Sequence, residues 1–157
     1  MNQISSLIED YSRGPQLVRS ALEGIAETHL DQLPIEGTWS IRQVVCHLAD
    51  SDIVYVDRMK RVIAEDNPTF FDADPDLLVP GLFCERRRLD VELDLIESVR
   101  AHMLPILLSC NETHFGRNGI HSTDGPMSLE TLLQRVTLHV PHHLAFVEKK
   151  VAALARQ

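Results

Sequence analysis

Positive charge, aromatic rings and long apolar runs are all scarce in this 157-residue sequence, and each scarcity narrows the function. Lys and Arg number 15 against 23 Asp and Glu, a net charge of −8 at neutral pH. A nucleic-acid backbone calls for a Lys/Arg surface, so no nucleic-acid partner is expected. The strongest basic run, Arg86-Arg87-Arg88, would point in three directions on a helix and reads as a solvated helix start. No apolar stretch approaches the ~18–20 residues that span a bilayer. The opening MNQISSLIEDYSRG lacks the basic start and apolar core of a signal peptide. Cys46, Cys84 and Cys110 are odd in number and show no CxxC spacing, which argues against a disulfide framework and fits a reducing compartment. A cytoplasmic protein with no membrane contact is the expectation. With one Trp, two Tyr and five Phe, its core must be aliphatic.

What is abundant is helical periodicity. Ile4, Leu7, Ile8, Tyr11, Val18, Leu22 and Ile25 fall on one stripe whose phase survives Gly14-Pro15, so one kinked helix is expected there. A second helix opens on Ser40-Ile41-Arg42-Gln43, which has the pattern of a capping box. It carries Ile41, Val44, Val45, Leu48, Asp52, Tyr55, Met59, Val62 and Ile63 on one face and ends near Asp66-Asn67-Pro68. Residues 67–83 hold three prolines and read as a long crossover with room for a short turn. Leu89, Leu93, Ile96, Met103 and Leu107 mark a third helix that Pro105 should kink. A glycine-bearing loop then leads to a fourth, with Ser128 as N-cap and Met127 as a hydrophobic staple. Its stripe runs from Leu129 through Leu132, Val136, Val140, Leu144 and Val147 to Leu154. Four amphipathic helices, two long connections and no convincing strand give an all-α four-helix bundle, one domain over residues 1–157.

Eight histidines are a high count for this length, and their placement gives them meaning. His139 and His143 lie one turn apart on the fourth helix, about 40° apart in projection. Imidazoles at i and i+4 on one helix face form a two-point metal clamp. His142 points roughly 100° away from His143 and is a poor further ligand, although it remains a candidate pocket residue. The third ligand should come from a facing helix, and His47, on the flank of the second helix's apolar face, is the best placed. Three histidines leave open coordination positions on Zn²⁺, Ni²⁺, Fe²⁺ or Mn²⁺, zinc or nickel foremost. Pro141, between the two ligands, either bends the helix at the site or sits on an exposed face.

Three ordered motifs carry a family resemblance. Trp39-Ser40 through His47-Leu48-Ala49-Asp50-Ser51 resembles the W-S-x-x-x-V-x-x-H-L-A-D-S/E signature of the DinB/YfiT-like superfamily. Phe115 to Leu129 resembles the loop before that family's last helix, and His139-Val140-Pro141-His142-His143-Leu144 its H-x-x-H-H-L motif. The similarity runs from about residue 4 to residue 151. It implies an up-down-down-up bundle, commonly a homodimer, with a divalent metal held at His47, His139 and His143. It also implies a hydrolase or an S-transferase that uses a low-molecular-weight thiol, acting on a small molecule. Phe146 departs from the pattern, since many relatives carry Gln or His near that position, which removes a polar contact beside the site.

Around the three ligands, Asp52 faces the bundle centre and is a candidate to orient a ligand histidine, whereas Asp50 should face away. His121, in the glycine-bearing loop, is placed at the mouth of the pocket. Cys46 reads as a small buried residue. No separate general base is evident, and a non-catalytic, metal-stabilised binding module is the competing reading.

Overall fold

The computed structural model describes residues 3–156; the ends of the expected 1–157 span, residues 1, 2 and 157, lie outside the described residues. Its helices are α1 (Gln3–Leu22), α2 (Ile41–Ala64), α3 (Pro75–Gly81), α4 (Leu89–Ser109), α5 (Glu112–Phe115) and α6 (Leu129–Leu154). The four long ones make the bundle, and side-chain pairs fix their directions. Arg19 reaches Asp94 and Glu97 while Tyr11 meets Arg100, so α1 and α4 are antiparallel. Asp50 lies beside Glu92 through Arg87, and Asp52 beside Arg100, so α2 and α4 are parallel. Thr38 meets Lys150 and His47 meets His139, so α2 and α6 are antiparallel. The order is therefore up-down-down-up.

The unbroken stripe across Gly14-Pro15 does form one helix, and the reason lies in the bundle centre. Pro15 has no N–H, so the Tyr11 carbonyl one turn earlier loses its helical donor. Nη1 of Arg100 donates to that carbonyl at 2.9 Å. Gly14 supplies the space: a Cβ there would lie 2.1 Å from Arg100 Nη1. The same guanidinium, 2% exposed, pairs with Asp52 at 2.6 and 2.9 Å and donates to the Val136 carbonyl at 3.2 Å. It sits where the aliphatic core divides. Tyr11, Met103 and Val136 belong to one cluster, and Val18, Ile96 and Val140 to the other.

The ends of the long helices follow local chemistry. Ser40 and Gln43 form the reciprocal capping box of α2, and Arg117 covers its C-terminal carbonyls at Val62 and Glu65. Ser128 accepts from the Thr131 N–H at 3.0 Å at the start of α6.

The connections differ from the all-helical expectation. Thr69–Phe70 (β1), Asn118–His121 (β2) and Gly125–Ser128 (β3) form a small sheet, β1 parallel to β2 and β2 antiparallel to β3. Met127, expected as a staple, is a buried β3 residue packed into the core. The strands are too short to show a period. What holds them is long-range: the Phe70 ring packs over Gly119, where a Cβ would come within 2.4 Å of it. The crossover also folds α3, capped by Asp74. In the arginine run, Arg86 and Arg88 are solvated as expected, but Arg87 turns inward and binds Asp50 at 2.7 and 2.9 Å and also Glu92.

Candidate metal centre

Trp39 precedes the cap of α2, and His47 follows it by two turns. Facing them from α6 are His139 and His143, one turn apart. The three imidazoles converge. Nε2 of His47 and Nε2 of His139 are 3.0 Å apart, and one ring nitrogen from each histidine lies within 4.8 Å of the others. Ring centroids are separated by 4.5 to 4.8 Å, at steep mutual angles. Trp39 lies nearly parallel to His143 at 6.2 Å and against His47 at 4.9 Å.

Burial holds all three rings neutral. Desolvation, then repulsion from His143 and His47, brings His139 down to about 3. Desolvation, then His47 and His142, brings His143 down to about 4. Burial also lowers His47, against a partial lift from Asp50. Neutral imidazoles with converging lone pairs are the state a borderline-soft cation requires, so this donor set fits a divalent metal. One feature departs from common metal-site design. Among the described residues Nδ1 of His139 is buried without a hydrogen-bond partner, so that ring is oriented by contact with the other two.

The cluster heads a cavity of about 370 Å³. His142 lines this cavity beside the three but stays outside the cluster, its ring against His143 and Phe146 at 5.1 Å each. Phe146 is half-exposed and faces a second cavity, of about 360 Å³, that also reaches His143. Asp52 points to the bundle centre, but its partner is Arg100 rather than a histidine. Asp50, expected to face away, lines the cavity while held by Arg87. Pro141 lies on the exposed side of an α6 that continues through it. Cys46 is fully buried against Val79 and Cys84, away from the imidazoles, and burial pushes its thiol far up.

His121 also lines the cavity, but from a strand and only 5% exposed. Its Nδ1 accepts from the Thr123 and Asp124 N–H groups at 3.3 and 3.2 Å. In the neutral ring the proton is then on Nε2, which faces Asp72 at 3.8 Å. The far wall is made by residues outside the sequence motifs: Tyr55 and Arg58 from α2, and Arg135 from α6 held by Asp124 at 2.5 Å. Helical spacing points to them. Ser51, Tyr55 and Arg58 continue the face of His47, and Arg135 is one turn before His139.

The same arrangement of helices occurs in known proteins. The solved structure of YfiT from Bacillus subtilis, described as "a probable metal-dependent hydrolase with an unusual four-helix bundle topology", superposes with a TM-score of 0.91 at 23% identity, over 99% of this chain and 90% of that one. A protein of Bacillus licheniformis is 30% identical over 93% of this chain and 84% of its own length, and one of Oceanobacillus iheyensis is 28% identical over 94% and 83%. Both are named "Putative metal-dependent hydrolase". The model of the DinB superfamily matches residues 10–147, a span that takes in all three converging histidines. The chain belongs to the DinB superfamily.

Proposed function

We propose that this protein is a metal-dependent hydrolase in which His47, His139 and His143 hold one divalent ion, zinc or nickel before iron or manganese. The observation that carries the reading is the convergence of three neutral imidazoles in the wall of a cavity large enough for a small molecule. The names of the relatives point the same way. Such an ion acts as a Lewis acid and lowers the pKa of water, so that a nucleophile is available at neutral pH.

The chain's own groups do the rest. Three imidazoles supply neutral donors and leave the cation's charge uncompensated, which favours an anionic nucleophile. Trp39 walls the cluster on one side and keeps His47 and His143 in place. Asp50, fixed by Arg87, adds a negative field at His47 that strengthens it as a donor. A low-molecular-weight thiol in place of water would turn the same activation into S-transfer.

Metal content and turnover test this together. Protein purified without added metal should carry close to one equivalent of divalent ion, and His47→Ala and His143→Ala should each lose most of it. Ester and amide panels, run with and without a thiol, should show metal-dependent turnover in the parent only. Stoichiometry near zero in the parent, or turnover that survives His143→Ala, overturns the reading.

A further inference from the structure

Among the described residues three arginines are nine-tenths or more buried: Arg42, Arg58 and Arg100. Two are neutralised in the usual way, Arg42 by Glu27 and Asp31 and Arg100 by Asp52. Arg58 is 7% exposed, and among the described residues no carboxylate lies within 4.0 Å of it. Burying a guanidinium without a counter-ion is costly. Desolvation lowers its pKa and the nearby Arg135 charge adds to this, with Tyr55, Asp72 and Asp124 only partly opposing it.

The group is nonetheless held firmly. Its Cζ stands 5.5 Å from the Tyr55 ring centroid and 5.6 Å from that of Phe70. Nη2 donates to the Phe71 carbonyl at 2.6 Å. That single bond uses one of five N–H donors. Among the described residues Nε and Nη1 have no protein acceptor, neither is sealed in the interior, and Arg58 lines the cavity. Nearby carboxylates are engaged or turned elsewhere: Asp57 by Arg61, Asp124 by Arg135, and Asp72 towards His121. Along α2, Arg58 follows His47 by eleven residues, a rise of about 16 Å. The cavity therefore has a histidine end and a guanidinium end.

We propose that Arg58 anchors an oxyanion, a carboxylate or a phosphate, at the end of the substrate remote from the bond that reacts. A planar guanidinium that no carboxylate of the described residues neutralises matches either group through two parallel N–H···O bonds. Which bond reacts at the other end rests on the hydrolase reading above; the anion site itself does not, because it contains none of the three histidines.

The test is an NMR titration of the full chain, following arginine Nε–Hε signals and the amides of Phe71 and His121. The probes are acetate and, separately, inorganic phosphate, each added to metal-free and to zinc-loaded protein. The Nε–Hε signal that Arg58→Gln removes should move saturably with at least one probe in both metal states. Arg58→Gln should weaken binding, read at the two amides, by at least about tenfold, the order of one charge-assisted pair of hydrogen bonds. Arg58→Lys keeps the charge and a donor for Phe71 but loses the fork. It should fold as the parent does and bind a few-fold more weakly, so the result stands even if Arg58→Gln unfolds. A preference for phosphate marks a phosphate ester, and a preference for acetate a carboxylate. An Arg58 signal that neither probe moves overturns the proposal, as does binding that needs zinc and survives Arg58→Gln. If the histidines hold no metal, the metal-free arm still decides the question.

Discussion

Gly14→Ala should destabilise the protein, although alanine is the better helix former. In an exposed helix interior the exchange gains about 1 kcal/mol. Here the new Cβ would stand 2.1 Å from Arg100 Nη1 and 2.8 Å from Cζ. The guanidinium has little room to retreat, being bonded to both Asp52 oxygens and to the Tyr11 and Val136 carbonyls. Moving it releases the Tyr11 carbonyl, which Pro15 has already deprived of a helical donor. A buried acceptor left unpaired costs about 1–3 kcal/mol, and disrupting a buried ion pair about 3–5 kcal/mol. Partial loss of both, less the helical gain, leaves a net cost of about 2–4 kcal/mol. For a chain of this length that lowers Tm by about 5–12 °C. Urea and thermal unfolding of the metal-free protein measure it. Repeating the substitution in an Asp52→Leu, Arg100→Met background isolates the cause: with no guanidinium in the notch, Gly14→Ala should change sign and stabilise. A Gly14→Ala protein as stable as the parent, or an equal loss in both backgrounds, would refute the notch as the reason for this glycine.

Two further outcomes follow from the same structure. In metal-free protein His139 and His143 titrate near 3 and 4 and His47 below its usual value, so below about pH 6.5 the unfolded chain takes up protons that the folded chain refuses. Stability is thus fully present above that pH and lost as pH falls towards the folded values; urea midpoints should decline steadily from pH 7 to pH 4.5, less steeply in His139→Ala, and a flat profile would contradict the burial argument. Ser40→Ala removes the bond to the Gln43 N–H and should cost about 1 kcal/mol, read as a lower urea midpoint with an unchanged slope; no loss would mean that tertiary packing alone sets the start of α2.

The bundle was legible because its helices announce themselves locally. The Ser40–Gln43 box, the Ser128 cap and stripes of aliphatic residues are encoded within a turn or two of where they act. Topology came with the family motifs rather than from periodicity, which cannot tell parallel α2 and α4 from antiparallel neighbours. The sheet had no local signal. β1 is two residues long, and its partner lies some fifty residues on; a strand that short exists because Phe70 needs a flat glycine to rest on. Arg87 shows the same limit. It differs from Arg86 and Arg88 only in which side of the chain meets Asp50 and Glu92.

The candidate site divides along the same line. His139 and His143 are legible because an i, i+4 pair is a property of one helix, and His47 because a facing helix needed one more donor. His121 read as a loop residue at the pocket mouth, not as a buried strand residue, because nothing near it in sequence reveals that β2 is covered by the crossover. Arg58 is the sharpest case. Its spacing from His47 places it on the cavity face of α2, and that much could be read. Its chemical character could not, because Asp57 precedes it directly and suggests a ready counter-ion. On a helix, adjacent residues diverge by about 100°, so Asp57 turns outward and pairs with Arg61 at 2.8 Å. Arg58 turns inward against the Tyr55 and Phe70 rings and, among the described residues, meets no carboxylate. A charge without a partner is a statement about everything that surrounds it, so it becomes visible only when the whole cavity is assembled.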